Sequence, residues 1–252
     1  MLRKIVGLFV VVLAVVAVPI ALSQMEQQTI YTFVSQFQVP RTNWAQYAED
    51  TEKTFVPVAE KMLADGTILS YSTFEAIVHA PDGMTHGAAW SSTSIAGLTR
   101  VLDEVRKAGP RPGQIAATRH EDFLMQSTTH MGKSGSGTSG YLRVVCQMAK
   151  ADRPDDYSAA IKKLLWPTFE EQLKNGAAIY VGLDQQYINS QPPSLRCLVV
   201  TYPNPEGMDK WATAVNAALG KMSQGDREAL FGSVVPDSRR DILARVTHYH
   251  SK

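Results

Sequence analysis

The sequence has no excess of charge of either sign. Its 252 residues carry 25 Lys and Arg against 24 Asp and Glu, a formal net charge of +1. That balance gives no electrostatic case for nucleic acid as a partner. Catalytic signatures are missing as well. Met131-Gly132-Lys133-Ser134 matches the end of a phosphate-binding loop, but Ser127 stands where the upstream glycine is required, and no strand–loop–helix context follows. The nucleophile elbow Gly-x-Ser-x-Gly fails because Gly132-Lys133-Ser134-Gly135 continues with Ser136. Histidine is sparse. His79, Asp82 and His86 bracket one turn and have zinc- or copper-type side chains, yet no cysteine or third histidine joins them at a recognised spacing, which makes a surface turn the better reading. His248 and His250 share one face of the last expected strand, and His130 ends the corresponding strand earlier in the chain; a polar chain end explains them as well as a ligand pair does. A haem would need an axial ligand in an apolar pocket, and nothing selects His86 or His130 for it. No carboxylate dyad, metal set or nucleophile arrangement stands out, so no cofactor is expected.

What is present begins with the leader. Arg3 and Lys4 precede an uncharged run over residues 5–22, and Ala21-Leu22-Ser23 gives a small-x-small cleavage pattern. Residues 1–23 are expected to be a signal peptide. The rival is an uncleaved anchor, because the run is near the roughly 18-residue threshold for spanning a bilayer. Pro19 and the small residues favour cleavage. Either way the folded part is expected outside the cytoplasm, periplasmic or extracellular, with membrane contact only if the leader stays on. Cys146 and Cys197 both fall in apolar runs that read as buried strands. They form a disulfide or serve as two small buried hydrophobes; the second reading is preferred.

The chain also repeats itself. Thr54-Phe55-Val56-Pro57-Val58-Ala59-Glu60-Lys61-Met62-Leu63-Ala64-Asp65-Gly66 aligns with Leu164-Leu165-Trp166-Pro167-Thr168-Phe169-Glu170-Glu171-Gln172-Leu173-Lys174-Asn175-Gly176 at a shift of 110. Pro57/Pro167, Glu60/Glu170, Leu63/Leu173 and Gly66/Gly176 are identical, and the same shift pairs Tyr47/Tyr157, Lys53/Lys163, Gly97/Gly207 and Val105/Val215. An internal duplication is expected.

Periodicity supplies the elements. Residues 31–39 alternate as a half-buried strand. A helix follows with Trp44, Tyr47, Thr51, Phe55, Val58 and Met62 on one stripe, kinked at Pro57. Strands at residues 67–79 and 85–92 flank Pro81-Asp82-Gly83, which is turn chemistry. A helix over 94–107, a break at 109–113 and a strand over 122–130 complete β-α-β-β-α-β. Residues 132–140 hold four glycines and four Ser or Thr, the composition of a flexible linker. The second half repeats the order: strand 141–149, helix 155–174, strands 177–188 and 194–202, helices 205–219 and 224–231, strand 240–250. Three segments are therefore expected after the leader: a first repeat over 28–131, the linker, and a second repeat over 141–252. One detail conflicts. Phe33 and Phe37 are odd-numbered, whereas Leu142, Val144, Cys146 and Met148 are even. A one-residue insertion, or a strand buried on both faces, would reconcile them.

A β-α-β-β-α-β unit is the ferredoxin-like arrangement, with helices on one sheet face and the other face bare. The long first helix with its internal proline, then Gly66 and a strand opening Thr67-Ile68-Leu69-Ser70-Tyr71, resembles the dimeric α/β-barrel superfamily over nearly all of residues 28–250. The resemblance implies an α+β fold in which two ferredoxin-like repeats pack their antiparallel sheets face to face as a pseudo-symmetric barrel. It also implies a site between sheet and helices or inside the barrel. That group includes cofactor-free monooxygenases, isomerases and haem enzymes.

Strand faces give the candidate site. If Leu142, Val144, Cys146, Met148, Leu195, Cys197 and Val199 lie under the helices, both cysteines share that face. Arg143 and Arg196 then point between the sheets, close to each other, joined by His86, Trp90, Tyr180 and Phe74. Arginines framed by aromatics suit an anionic or aromatic small molecule. The alternative is that each arginine only pairs with a local carboxylate such as Asp184. The expected function is an exported small-molecule-binding or structural protein, monomer or homodimer; the alternative is a cofactor-independent monooxygenase or isomerase.

Overall fold

The structure, a computed structural model, describes residues 28–80, 83–188 and 194–252. The expected leader, and Pro81 and Asp82 of the expected turn, lie outside the described residues. Strand β1 (Ile30–Gln38) comes first. Helices α1 (Trp44–Asp50) and α2 (Val56–Ala64) follow, joined by a π turn over Thr51–Phe55. Strands β2 (Ser70–Ala76) and β3 (His86–Ser92), helices α3 (Ile95–Lys107) and α4 (Pro112–Ile115), and strand β4 (Arg119–Gly132) complete the first half. A short strand β5 (Gly135–Gly137) leads to β6 (Tyr141–Met148), α5 (Asp156–Leu164) and α6 (Trp166–Lys174). The chain ends with β7 (Tyr180–Gln186), β8 (Leu195–Tyr202), α7 (Pro205–Gly220), α8 (Gln224–Phe231) and β9 (Arg240–Ser251).

Local chemistry explains the breaks. Pro57 has no N–H to give Lys53, so the turn before it widens instead of continuing as α-helix. Thr51 Oγ1 donates to Tyr47 O at 2.8 Å and Thr54 Oγ1 to Asp50 O at 2.5 Å, serving carbonyls along the distorted stretch. Pro167 interrupts the second long helix at Leu165. Ser94 caps α3 by accepting from Gly97 N at 3.1 Å, and Asn204 caps α7 by accepting from Gly207 N at 2.8 Å. The break at residues 109–113 includes the start of α4, where Gly113 N donates to the buried Asp50 carboxylate at 2.6 Å. A Cβ on Gly113 would lie 2.5 Å from Tyr47 Cα, so only glycine fits that approach.

All strand pairings are antiparallel. The strand order is β2-β3-β1-β4 in the first half and β7-β8-β6-β9 in the second. The halves are not two separate layers facing each other. The edge strand β4 pairs with β7, from Met125↔Gln186 to Gly132↔Tyr180, and β9 pairs with β2, from Ala76↔Ala244 to Ser70↔Ser251. Eight strands thus close into one barrel. Closure satisfies the edge N–H and C=O groups that two open sheets would leave unpaired. Both seams carry a register shift, at Ser127/Thr129 against β7 and at Thr73/Phe74 against β9. Such bulges bend a strand where a barrel must curve. The expected linker is partly ordered: β5 pairs with the end of β9, Gly135↔Ser251 to Gly137↔Tyr249.

The helices cover the outside. In the first half Phe55, Met62, Leu63, Trp90, Leu98 and Val101 form the helix–sheet core. In the second half Tyr157, Ile161, Phe169, Val181, Tyr202 and Trp211 do so. Phe169 and Val101 are each 0% exposed, and truncating such a phenylalanine to alanine costs about 3–5 kcal/mol. The inner faces form a second core: Phe74, Leu142, Ala244 and Val246 at one place, Met125, Leu195 and Cys197 at another.

This reverses the expected faces of β6 and β8. Leu142, Val144, Cys146, Leu195, Cys197 and Val199 line the barrel interior, not the helix-covered side. The helices instead pack on Tyr141, Leu198, Val200 and Tyr202. Both sides of these strands are buried, so an apolar alternation alone could not say which side was which. The parity conflict therefore needs no insertion: Phe33 faces the helices and Val34 the interior, as do Arg143 and Val144 one shift of 110 later. The two cysteines are bonded, with Cys146 opposite Cys197 in the register and their Cα atoms 4.1 Å apart.

The bond closes a loop of sequence separation 51, for which the chain-entropy account gives about 4 kcal/mol. The double variant C146S/C197S is expected to unfold at a lower guanidinium chloride midpoint than the oxidised protein. Coincident midpoints would contradict a stabilising role.

Candidate functional site in the barrel

Strand β7 carries the polar groups of the interior. Its sequence Tyr180-Val181-Gly182-Leu183-Asp184 alternates: Val181 and Leu183 enter the helix-side core, so Tyr180, Gly182 and Asp184 turn inward. Asp184 sits between two neighbouring strands, registered with Ser127 on β4 and Cys197 on β8. It is 9% exposed, and its Oδ1 has no hydrogen-bond partner among the described residues. Burial disfavours the charged form and pushes the Asp184 carboxyl up to about 7; the Ser127 hydroxyl beside it pulls the other way. That hydroxyl also lies 3.1 Å from Leu183 O and 3.2 Å from Thr129 O, so its one proton is shared among these acceptors.

Tyr180 is held by two glycines. A Cβ on Gly182 would meet Tyr180 Oη at 2.6 Å, and one on Gly132 would meet Tyr180 Cδ2 at 3.0 Å. The phenol therefore lies along its own strand, over Gly182 and two residues short of Asp184, about 7 Å by strand rise. Burial and the Asp184 charge both push its ionisation far upward, so it stays a neutral hydroxyl. Around these groups is a cavity of about 960 Å³, walled by Val34, Phe123, Met125, Val144, Cys146 and Val199 among others. That volume suits a small organic molecule.

The two halves differ at this point. Phe74 stands 110 positions before Asp184 in the sequence, and Gly87 stands 110 before Cys197. The Phe74 ring lies so close that a Cβ on Gly87 would be 2.4 Å from its Cζ. An aromatic ring fills the first half where the second half presents a carboxylate and a disulfide.

Of the six candidate residues from sequence, Phe74 and Tyr180 line the interior. The other four do not. Arg143 pairs outside with Asp241 at 3.0 Å. Arg196 lies 3.7 Å from Asp155 and donates to Leu195 O at 3.3 Å, also on the outer face. The guanidinium groups are not neighbours, because Arg143 registers with Val200 and Arg196 with Gln147. Both arginines pair locally, with Asp241 and Asp155 rather than Asp184. Trp90 stacks on Phe33 at 4.8 Å and donates to Leu98 O at 3.1 Å under the helices. His86 packs against Trp44 and Tyr47, with ring centroids 5.2 and 4.6 Å away, and burial lowers it to about 4. Its expected companion Asp82 lies outside the described residues.

His248 and His250 share the helix-side face and are taken up by Glu52 and Glu60, each at 3.0 Å, with Tyr71 also donating to Glu60 at 2.6 Å. His130 lies 3.1 Å from Gln28 O. No group of three His, Cys, Asp or Glu side chains able to hold a metal occurs among the described residues. Asp184 was missed as a site residue by sequence reasoning. The available signal was a lone acid in an apolar strand at the same parity as Tyr180.

No protein-family model and no curated protein matches this sequence. Solved structures share its fold. A "putative monooxygenase" from Lactobacillus acidophilus superposes with a TM-score of 0.63 at 13% identity, over 88% of this chain and 96% of that one. A second structure of the same name, from Fusobacterium nucleatum, gives 0.65 at 11% identity, over 90% and 96%. An anthrone oxidase-like protein gives 0.54 at 11% identity, over 90% and 94%. The chain therefore has the α+β-barrel fold of these proteins.

The raised Asp184 carboxyl has a stability consequence. Its folded value lies above the unfolded 3.8, so its contribution is intact below about pH 4 and is lost as pH rises through 7. The isosteric D184N removes that loss. Relative to D184N, the wild type is expected to lose about 4 kcal/mol between pH 4 and pH 8. Chemical denaturation of both proteins across that range checks it; parallel curves would mean the carboxyl is not held up.

Proposed function

We propose that the barrel interior is a small-molecule site in which Asp184 is a general base, and that the reaction is a cofactor-independent oxygenation or isomerisation of a small aromatic ketone or phenol. The observation that carries this reading is the Asp184 carboxyl, with one oxygen unpartnered and its protonation balanced near neutrality, on the wall of a cavity of about 960 Å³. A base works best when its pKa is close to the operating pH. The mainly apolar wall suits an aromatic body.

The chemistry follows from one proton. Asp184 takes it from a carbon conjugated with a carbonyl, directly or through an aromatic ring, and the electron pair spreads onto the carbonyl oxygen. Returning the proton to another carbon is isomerisation. If dioxygen instead accepts the electrons, one of its atoms bonds to that carbon and the other leaves as water. A CH2 group and O2 then give C=O and H2O, which balances without a further reductant. The neutral Tyr180 hydroxyl on the same strand can donate to the carbonyl oxygen as its charge grows. Neighbours named as monooxygenases and as anthrone oxidase-like support the reading.

A carrier without turnover is the second reading. It is favoured by the lack, among the described residues, of a hydrogen-bonded partner on Asp184 Oδ1 to pass a proton onward.

The finer architecture and the address belong to the same proposal. The halves are two ferredoxin-like repeats from one duplicated unit, an origin supported by their equal strand orders and by a bulge on each seam. The chain is exported, supported by the leader pattern and by a disulfide, a bond that persists in oxidising compartments.

Oxygen uptake with a panel of anthrones and naphthols, in the presence of a chelator, tests the catalytic reading. D184N is expected to lose about 100-fold or more in kcat while still retaining ligand through gel filtration. Turnover in D184N equal to wild type would remove Asp184 as the base, and ligand retention without turnover in either protein would leave the carrier.

A further inference from the structure

The interior contains a second reactive group that the proposed acid–base reading does not use. Cys146 and Cys197 both line the cavity, so their disulfide forms part of its wall rather than lying under the helices. Cys197 is 4% exposed, whereas Cys146 is only half-buried. Asp184 stands directly opposite Cys197 in the β7–β8 register. Directly opposed side chains on one sheet face have Cβ atoms about 4.5–5.5 Å apart. Cys146 is thus the more exposed residue of the pair on the cavity wall, and Cys197 has a carboxyl beside it.

We propose that the Cys146–Cys197 disulfide is a thiol-exchange site, in which a small thiol entering the barrel attacks Cys146 and Asp184 protonates the departing Cys197 sulfur. The attacking thiolate, R–S⁻, bonds to Cys146 Sγ as the bond between the two cysteines breaks. The electron pair leaves on Cys197 Sγ and takes the proton from the Asp184 carboxyl. A second thiol then attacks the mixed disulfide on Cys146 and departs as R–S–S–R. Two thiols are oxidised, the protein disulfide is reduced, and the two protons end on Cys146 and Cys197. Exchange of this kind is governed by access to the attacked sulfur and by how well the leaving sulfur carries charge. The greater exposure of Cys146 bears on the first condition and the carboxyl opposite Cys197 on the second.

The inward positions of β8 and β6 beside the disulfide carry no other titratable group: Leu195, Val199 and Thr201 on β8, Leu142, Val144 and Met148 on β6. The other titratable groups that line the same cavity are Tyr180 on the strand of Asp184, Tyr71 on β2, Arg119, Glu121 and His130 on β4, Lys133 after it, and Arg240, Tyr249, His250 and Lys252 at the end of the chain. Arg119 is occupied by an ion pair with Glu121, and His130 by Gln28 O. Tyr180 remains neutral. Asp184 is therefore the acid nearest to the leaving sulfur, and burial keeps it protonated until about pH 7.

The probe is reduced glutathione, added to the native full chain under anaerobic conditions without any substrate. Quenching with acid and mapping the adduct by mass spectrometry are expected to place the mixed disulfide on Cys146. Rate constants divided by the thiolate fraction are expected to fall about tenfold or more as pH rises through 7. In D184N the profile is expected to be flat and slow throughout. Ser127→Ala keeps the carboxyl but removes the hydroxyl that holds it down, so the inflection is expected to move to higher pH. The proposal is overturned by an adduct on Cys197, by a wild-type profile without an inflection, by one that Ser127→Ala leaves in place, or by reduction that occurs only with denaturant. The measurement needs neither oxygen nor turnover. It can therefore fail while Asp184 still acts as a base toward substrate, or succeed in a carrier.

Discussion

The hydrogen bonds of the two seams, β4 with β7 and β9 with β2, are the constraint on which everything else rests. Each half alone would be a four-stranded sheet with helices on one face and nothing on the other. The seams turn two bare faces into one enclosed space and leave none of the eight barrel strands with an open edge. Enclosure is also what makes the interior chemistry unusual. A carboxylate on an open sheet would be solvated and ordinary, but inside the barrel it loses water without gaining a partner on Oδ1. The raised Asp184 is thus a product of closure rather than of its immediate sequence.

Closure does not make the halves chemically equal. Phe74 over Gly87 fills one side, while Asp184, Tyr180 and the disulfide furnish the other. A ring packed on a glycine contributes burial and shape, with no group that titrates or reacts. Asp184, Tyr180 and the disulfide lie on β7, β8 and β6, and the first half adds apolar side chains such as Val34, Phe123 and Met125.

Much of the architecture was legible in the sequence. The order of strands and helices follows from alternation, from the helical stripe of Trp44, Tyr47 and Phe55, and from proline and glycine punctuation. The caps Ser94 and Asn204 and the interruption at Pro57 are local events, so local rules reach them. The inner and outer faces of β6 and β8 were not legible. Val144 and Val200 are equally apolar, and both are covered, one by the cavity wall and one by helices. Choosing the wrong face carried Arg143 and Arg196 into an interior they do not occupy. Of the candidate residues read from sequence, Tyr180 and Phe74 alone lie on the interior wall. Asp184 depends on a register across three strands and on burial, and neither is encoded within its own segment.

The cross-strand bond has one more consequence. β6 and β8 are already adjacent and hydrogen-bonded, so a staple between them does little to hold the halves together. What it forbids is sliding. A strand with greasy residues on both sides can shift by one position at small cost, and each such shift turns its whole row of side chains inside out. Linking position 146 to position 197 permits a single alignment, and so it selects which residues the interior sees.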